Sequence, residues 1–167
     1  MRLTILTTGG TIDKTYDEFQ GNLRNEHTAL DVILDTLRIP DLFIRHIEVM
    51  HKDSLDMTDE DRKMIARAVR EALPDSDAIV ILHGTDTLEQ TGDLLYSELG
   101  ELEIPVVFTG AMRPYEFRDT DALQNVTEAL LAARLLKGGV YVAMHNRVLR
   151  FPGVTKDREA RTFVRTD

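Results

Sequence analysis

Three short segments place hydroxyls and a carboxylate directly after apolar runs: Leu3–Ile12 (LTILTTGGTI), Ala78–Thr87 (AIVILHGTDT) and Ile104–Arg113 (IPVVFTGAMR). Each run is rich in β-branched residues and stops at glycine beside Thr or Asp. Such runs suit buried parallel strands, and the glycines suit tight turns at their ends. In an open α/β sheet, ligands bind outside the carboxyl ends of the strands. The pattern therefore predicts that Thr7, Thr8, Thr11, Thr85, Asp86 and Thr109 reach one sheet edge. A hydroxyl there becomes a nucleophile only if a neighbour takes its proton.

In TTGGTI one glycine permits a left-handed backbone and the next permits close approach to a ligand. Thr11 then follows the turn with its hydroxyl free. The segment lacks the GxGxxG spacing of a dinucleotide fingerprint. HGTDT says more. Thr87 with Gln90 fits a helix N-cap, which leaves Thr85 and Asp86 surplus to capping and available for chemistry. His83 reads as a packed histidine, and His27, His46, His51 and His145 show no metal-ligand spacing. Two residues are candidates to take a threonine proton: Tyr16 in the polar stretch after the first strand, and Lys156 in VTK. A lysine beside a threonine can act as a base if desolvated. Ser54 follows the second predicted strand and can reach the same edge. Asn146 reads as a turn residue, and Arg113 before Pro114 as a loop anchor.

The elements that must position these groups alternate strand and helix. The predicted strands are Leu3–Thr8, Phe43–Met50, Ala78–Leu82, Pro105–Thr109 and Val140–Met144. Helices are expected over Glu26–Leu37, from the cap Thr58 to Pro74, from the cap Thr87 to Gly100, and over Asp119–Lys137. Leu123, Val126, Leu130, Ala133 and Leu136 form the inward face of the last. Asp13–Asn25 reads as a polar loop. Arg147–Asp167 reads as an irregular tail or a short hairpin over the sheet edge. This predicts one α/β domain over residues 1–167: a three-layer α/β/α sandwich around a mostly parallel, five-stranded, flavodoxin-like sheet of order 2-1-3-4-5.

Composition removes several function classes. With 43% hydrophobic and 29% charged residues the chain is too apolar to be disordered. It has no cysteine, so thiolate catalysis and disulfides are excluded. A net charge of −9 argues against nucleic acid or an anionic membrane as partner. No apolar run approaches the ~20 residues that span a bilayer, and a signal peptide's apolar core is missing from the start. A soluble, cytoplasmic protein is expected. A flavodoxin-like electron carrier would use TTGGT to cradle a flavin phosphate, but the chain has no Trp and few edge-loop Tyr residues.

Taken together, TTGGTI, HGTDTLEQT, VVFTGAMRP, DSLDM and GVTK resemble segments of the bacterial L-asparaginase family of the threonine-nucleophile type, in its N-terminal domain. The resemblance implies that Thr11 attacks a side-chain amide, with Tyr16 as its activating neighbour. It also implies a second set of Thr85, Lys156 and Asp86. Asp86 would hold a substrate α-amino group and Ser54 its α-carboxylate. Gly10, Gly84, Ala111 and Leu55 would line the pocket, with backbone N–H groups around Thr11 and Thr85 as oxyanion donors. The implied reaction converts L-asparagine and water to L-aspartate and ammonia without metal or cofactor, in a homo-oligomer. Two departures stand out. The family's second domain, which lends an acidic residue to a neighbouring site, is expected to be missing. Leu55 stands where many relatives have a polar amide, which predicts weak use of glutamine. A module that binds asparagine or aspartate without turnover, and an amidase for another small or peptide-linked amide, are the alternatives.

Overall fold

The runs at 78–82 and 105–109 are buried on both faces, and accordingly they form the middle of the sheet. The computed structural model describes residues 1–25 and 27–166. In chain order, β1 (Arg2–Thr7) is followed by a two-stranded hairpin, β2 (Lys14–Asp17) and β3 (Asn22–Asn25). Then come α1 (Leu30–Thr36), β4 (Phe43–Glu48), α2 (Asp59–Ala72), β5 (Ala78–Leu82) and α3 (Leu88–Leu99). The remainder is β6 (Pro105–Thr109), α4 (Ala122–Leu135), β7 (Gly139–Met144), β8 (Arg147–Arg150), β9 (Val154–Asp157) and β10 (Thr162–Arg165).

The main sheet has six strands in the order β4-β1-β5-β6-β7-β8. The first five are parallel and reproduce the expected order, while β8 pairs antiparallel with β7. The count of five is thus corrected to six, because the His145-Asn146 turn, with φ of 53° and 60°, folds the chain straight back. Beyond β8 the chain forms the β9–β10 hairpin, so of the two expectations for this region the short hairpin holds and the irregular tail does not. It is anchored by Phe151, Val154 and Phe163, which join one core with α2, α3 and the adjacent sheet face. The opposite face packs against α1 and α4. No helix among the described residues is long and apolar enough to cross a membrane.

Several boundaries differ from expectation for physical reasons. Residues 14–25 form the β2–β3 hairpin where a polar loop was expected. Helix α1 begins at Leu30, because Asp13 Oδ1 accepts from the Ala29 N–H at 2.8 Å and Thr28 Oγ1 accepts from the Leu30 N–H at 3.2 Å. The expected start at Glu26 lies outside the described residues. Thr58 caps α2 with a complete capping box closed by Asp61. Thr87, by contrast, makes no side-chain cap for α3. Leu123 on α4 is 39% exposed rather than inward. Gly92 leaves a hollow in α3 that the Phe151 ring fills, and a Cβ there would lie 2.1 Å from Phe151 Cζ.

The strand ends converge through glycine. Gly10 has φ +94°, and a Cβ on it would lie 2.5 Å from Gly84 Cα. A Cβ on Gly84 would lie 2.7 Å from Ser54 Oγ, and one on Gly110 2.3 Å from the His83 carbonyl oxygen. His83 itself is fully buried. Its Nδ1 lies 2.7 Å from the Gly84 carbonyl oxygen and its Nε2 2.9 Å from Thr91 Oγ1. Since a carbonyl can only accept, the proton sits on Nδ1 and Thr91 donates to Nε2.

This packing sets two expectations for stability. Gly10→Ala adds a clash to backbone strain and is expected to cost at least about 2 kcal/mol. Gly100 also has positive φ but meets nothing within 4 Å, so Gly100→Ala should cost only its backbone strain, about 1–3 kcal/mol, and less than Gly10→Ala, which urea unfolding will resolve. Burial pushes the His83 imidazole down to about 4. The unfolded chain, with an ordinary histidine near 6.5, therefore binds a proton that the folded chain refuses. Stability should fall as pH drops from ~6.5 to ~4, by on the order of 3 kcal/mol, with no further loss from this group below that. His83→Gln should flatten that segment of the stability–pH curve.

Candidate active site

Of the six edge residues, three spend their hydroxyls on structure. Thr8 Oγ1 donates to the Leu82 carbonyl oxygen at 2.9 Å, and Thr109 Oγ1 donates to that of Ala143 at 2.9 Å. Thr7 Oγ1 pairs with His46 Nε2 at 2.9 Å. All three are buried. Thr11, Thr85 and Asp86 remain. Thr11 opens a 3-10 turn, Thr11–Asp13, immediately after Gly10. Thr85 immediately follows Gly84, so the contact between the two glycines brings the threonine-bearing turns together. The Thr11 hydroxyl makes no hydrogen bond among the described residues.

Strand β9 delivers Lys156 to the same place from far along the chain. Its Nζ donates to Thr85 Oγ1 at 2.8 Å and to Asp86 Oδ1 at 2.9 Å. The Lys156 side chain is only 12% exposed, so these contacts are sheltered from water. The Lys156 backbone N–H donates to Glu89 Oε2 at 2.7 Å, which fixes β9 against the first turn of α3. Thr85 Oγ1 in turn donates to Met112 Sδ at 3.6 Å. The Met112 loop is held by Asp121, which accepts the Met112 and Arg113 N–H groups and pairs with His145 Nε2 at 2.7 Å. Burial works against the Asp121 anion, but these donors hold its carboxyl below the usual range.

Ser54 sits beneath this cluster and is fully buried. Its Oγ accepts from the Asp86 N–H at 3.2 Å and the Thr87 N–H at 3.4 Å, while Thr87 Oγ1 donates to the Ser54 carbonyl oxygen at 2.7 Å. The expected Thr87–Gln90 cap is thus replaced by a cap from another loop. The reason is that Thr87 turns toward Ser54. Accepting two N–H groups leaves the Ser54 hydroxyl proton to donate elsewhere. Leu55, the next residue, is 65% exposed, and Ala111 is buried. Asp53 pairs with Lys14 at 2.5 Å, joining the Ser54 loop to the base of the β2–β3 hairpin. Burial opposes the Asp53 anion, but this lysine holds its carboxyl below the usual range.

Tyr16 stands on the β2–β3 hairpin. It is 57% exposed on β2, and a Cβ on Gly21 would meet its hydroxyl at 3.8 Å, so the phenol lies over its own hairpin turn. Sequence reasoning also missed Arg158, whose Nη1 lies 3.0 Å from Asp86 Oδ1. Its only sequence signal is a basic residue two positions after Lys156. Lys14 and Glu89 were equally silent, since each reads as an ordinary surface charge. Among the described residues no group of three or more His, Asp or Glu could hold a metal ion.

A hydroxyl bonded to an ammonium, on a turn that touches another turn carrying a free hydroxyl, is an arrangement suited to acyl transfer. The family described as "Asparaginase, N-terminal" matches residues 2–163. The L-asparaginase of Thermococcus kodakarensis is 37% identical over 158 residues, covering 93% of this chain and 48% of that protein. A glutamyl-tRNA(Gln) amidotransferase component of Methanococcus vannielii is 33% identical over 148 residues, covering 87% of this chain and 34% of that protein. The solved thermostable L-asparaginase from Thermococcus kodakarensis superimposes with a TM-score of 0.86 at 34% identity, over 99% of this chain and 51% of that one. The chain therefore spans about half the length or less of these relatives, and it belongs to the asparaginase family, matching its N-terminal domain.

Proposed function

We propose that the protein is an amidohydrolase that cleaves a side-chain carboxamide through an acyl-threonine, with L-asparagine giving L-aspartate and ammonia. The observation that carries this reading is the Lys156 ammonium, which bridges Thr85 Oγ1 and Asp86 Oδ1 on the turn that meets the Thr11 turn through Gly84 and Gly10. Thr11 Oγ attacks the carboxamide carbon and loses its proton. Backbone N–H groups near Thr11 and Thr85 hold the oxyanion. The C–N bond then breaks, the nitrogen leaves with the added proton as ammonia, and an ester remains on Thr11. Water activated at Thr85 hydrolyses that ester and restores the hydroxyl.

Each residue has a role in this reading. Lys156 must shed its own proton before it can accept one through Thr85. Tyr16, on the β2–β3 hairpin that follows the Thr11 turn, is the neighbour that takes the Thr11 proton in this reading. Gly10, Gly84 and Ala111 wall the pocket without filling it. Ser54 offers its hydroxyl proton to the substrate's carboxylate, and Asp86 attracts an α-amino group. The exposed Leu131 and Leu135 on α4 favour a homo-oligomer, a dimer or tetramer, that would cover them. The amidotransferase relative favours a second reading, an amidase for an amide other than free asparagine.

Thr11→Ala should lower ammonia release by about 10³-fold or more, and Thr85→Val and Lys156→Met by about 10²-fold or more each, with the double variant no worse than the weaker single one. Unchanged release in both Thr11→Ala and Thr85→Val would refute the assignment. Ligand heat in a calorimetric titration without any ammonia would identify a binding module instead. With Leu55 unable to hydrogen-bond, kcat/KM on glutamine should be at least about tenfold below that on asparagine. Equal rates on the two would sink that specificity.

A further inference from the structure

Thr85 and Lys156 belong to a closed ring of contacts. Lys156 Nζ donates to Thr85 Oγ1 at 2.8 Å, and Thr85 Oγ1 donates to Met112 Sδ at 3.6 Å. The Met112 N–H reaches both oxygens of Asp121 at 3.0 Å. Asp121 Oδ2 meets His145 Nε2 at 2.7 Å, and His145 Nδ1 meets Thr162 Oγ1 at 3.1 Å. Thr162 stands on β10, where the next residue, Phe163, is registered opposite Lys156 on β9. There the ring returns to the lysine.

The ring matters because of how the β9–β10 hairpin is attached. That hairpin is a two-stranded sheet of its own and shares no ladder with the six-stranded one. Its place therefore rests on side chains. Val154 and Phe163 are buried beneath it, and Glu89 holds the Lys156 N–H. Apolar burial is non-directional, so it fixes depth better than register. The imidazole supplies direction. It joins β10 to the loop of Met112, the neighbour of Thr85. Asp121 accepts from Met112, Arg113 and Asn125 as a carboxylate does, so His145 Nε2 carries a proton toward it. The Thr162 hydroxyl donates to a neutral ring or accepts from a charged one, so this joint survives either state. The His145 N–H donates to Asn125 Oδ1 at 3.2 Å, which sets the imidazole on a fixed base.

Building on the hydrolytic reading above, we propose that His145 is a positioning residue for the reaction: through Thr162 and Asp121 it holds the hairpin carrying Lys156 in register with the turn carrying Thr85. It acts on the chemistry only through Lys156. Two substitutions open the ring at different joints. His145→Asn suits the left-handed backbone there, φ 53°, and leaves a polar atom near the Nδ1 position but none at Nε2, so the Asp121 joint is lost. Thr162→Val removes the hydroxyl at nearly constant shape, so the Thr162 joint is lost. Thr162→Ser keeps it.

The test measures ammonia release from L-asparagine by the full chain and these variants. His145→Asn and Thr162→Val should each lower kcat by about tenfold or more, with KM within about twofold. Their combination should be no worse than the weaker one, and Thr162→Ser should restore most of the rate. In a Lys156→Met background His145→Asn should add no more than about twofold. Alongside, reductive methylation with formaldehyde and a borohydride, read by mass spectrometry, reports the shelter of Lys156, whose side chain is 12% exposed. Lys156 should label about threefold faster or more in both ring-opened variants, while Lys14, bound to Asp53 elsewhere, keeps its rate. Wild-type kcat in either variant, a full further loss without Lys156, unchanged labelling of Lys156, or equal acceleration at Lys14 overturns the proposal and leaves hydrolysis intact. If no variant and no wild type releases ammonia, the hydrolytic reading fails by itself. Labelling then decides alone: selective acceleration at Lys156 supports the ring, and its absence overturns it.

Discussion

Gly10 and Gly84 meet backbone to backbone, and every other feature of the candidate site depends on that contact. The two residues follow strands that are neighbours in the sheet, β1 and β5. Parallel strands lie about 4.8 Å apart, which leaves little room for side chains where both chains turn out of the sheet on the same side. Removing Cβ at both positions lets the turns touch. Gly110 repeats the solution one strand further on, against His83. Each turn then presents the residue that follows its glycine, and for the first two that residue is threonine. The sheet therefore contributes geometry more than chemistry.

The framework was legible because it follows from periodicity. Parallel strands and the two layers of helices are written in β-branched runs, amphipathic spacing and glycine stops, whereas the strand order follows only by analogy with other five-stranded sheets. The Thr58 capping box was readable residue by residue. What escaped the sequence depended on partners distant along the chain. Nothing local indicates that Ser54 caps α3, because the donors it serves are 32 and 33 residues away. Thr87 and Gln90 fitted the local pattern for a cap, yet Thr87 found a better partner in the Ser54 carbonyl oxygen. The β2–β3 hairpin was hidden for a related reason. Its strands are short and polar, and its register rests on Asp17 and on the Lys14–Asp53 pair. Lys156 was conspicuous beside Thr155, but only tertiary structure brings it to Thr85 and Asp86.

Helix α3 links these parts. Its first turn receives Ser54 from below and ties β9 through Glu89, while Thr91 holds the imidazole of His83. His83 in turn supports the Gly84 carbonyl. The Thr85–Asp86 segment is thus braced from both sides by groups that contact no reacting atom. A neutral, buried imidazole suits that task, since it donates and accepts once each without bringing a charge under the site.

Gly92 and Phe151 share one small volume, with the ring seated where any Cβ on the helix would stand. Neither position can vary independently of the other. Enlarging residue 92 requires a smaller residue at 151, and shrinking the ring opens a void that a methyl group on the helix could fill. Across descendants of this sequence the two sites should therefore change in concert, and a homologue with alanine at 92 should betray a compensating loss of bulk at 151.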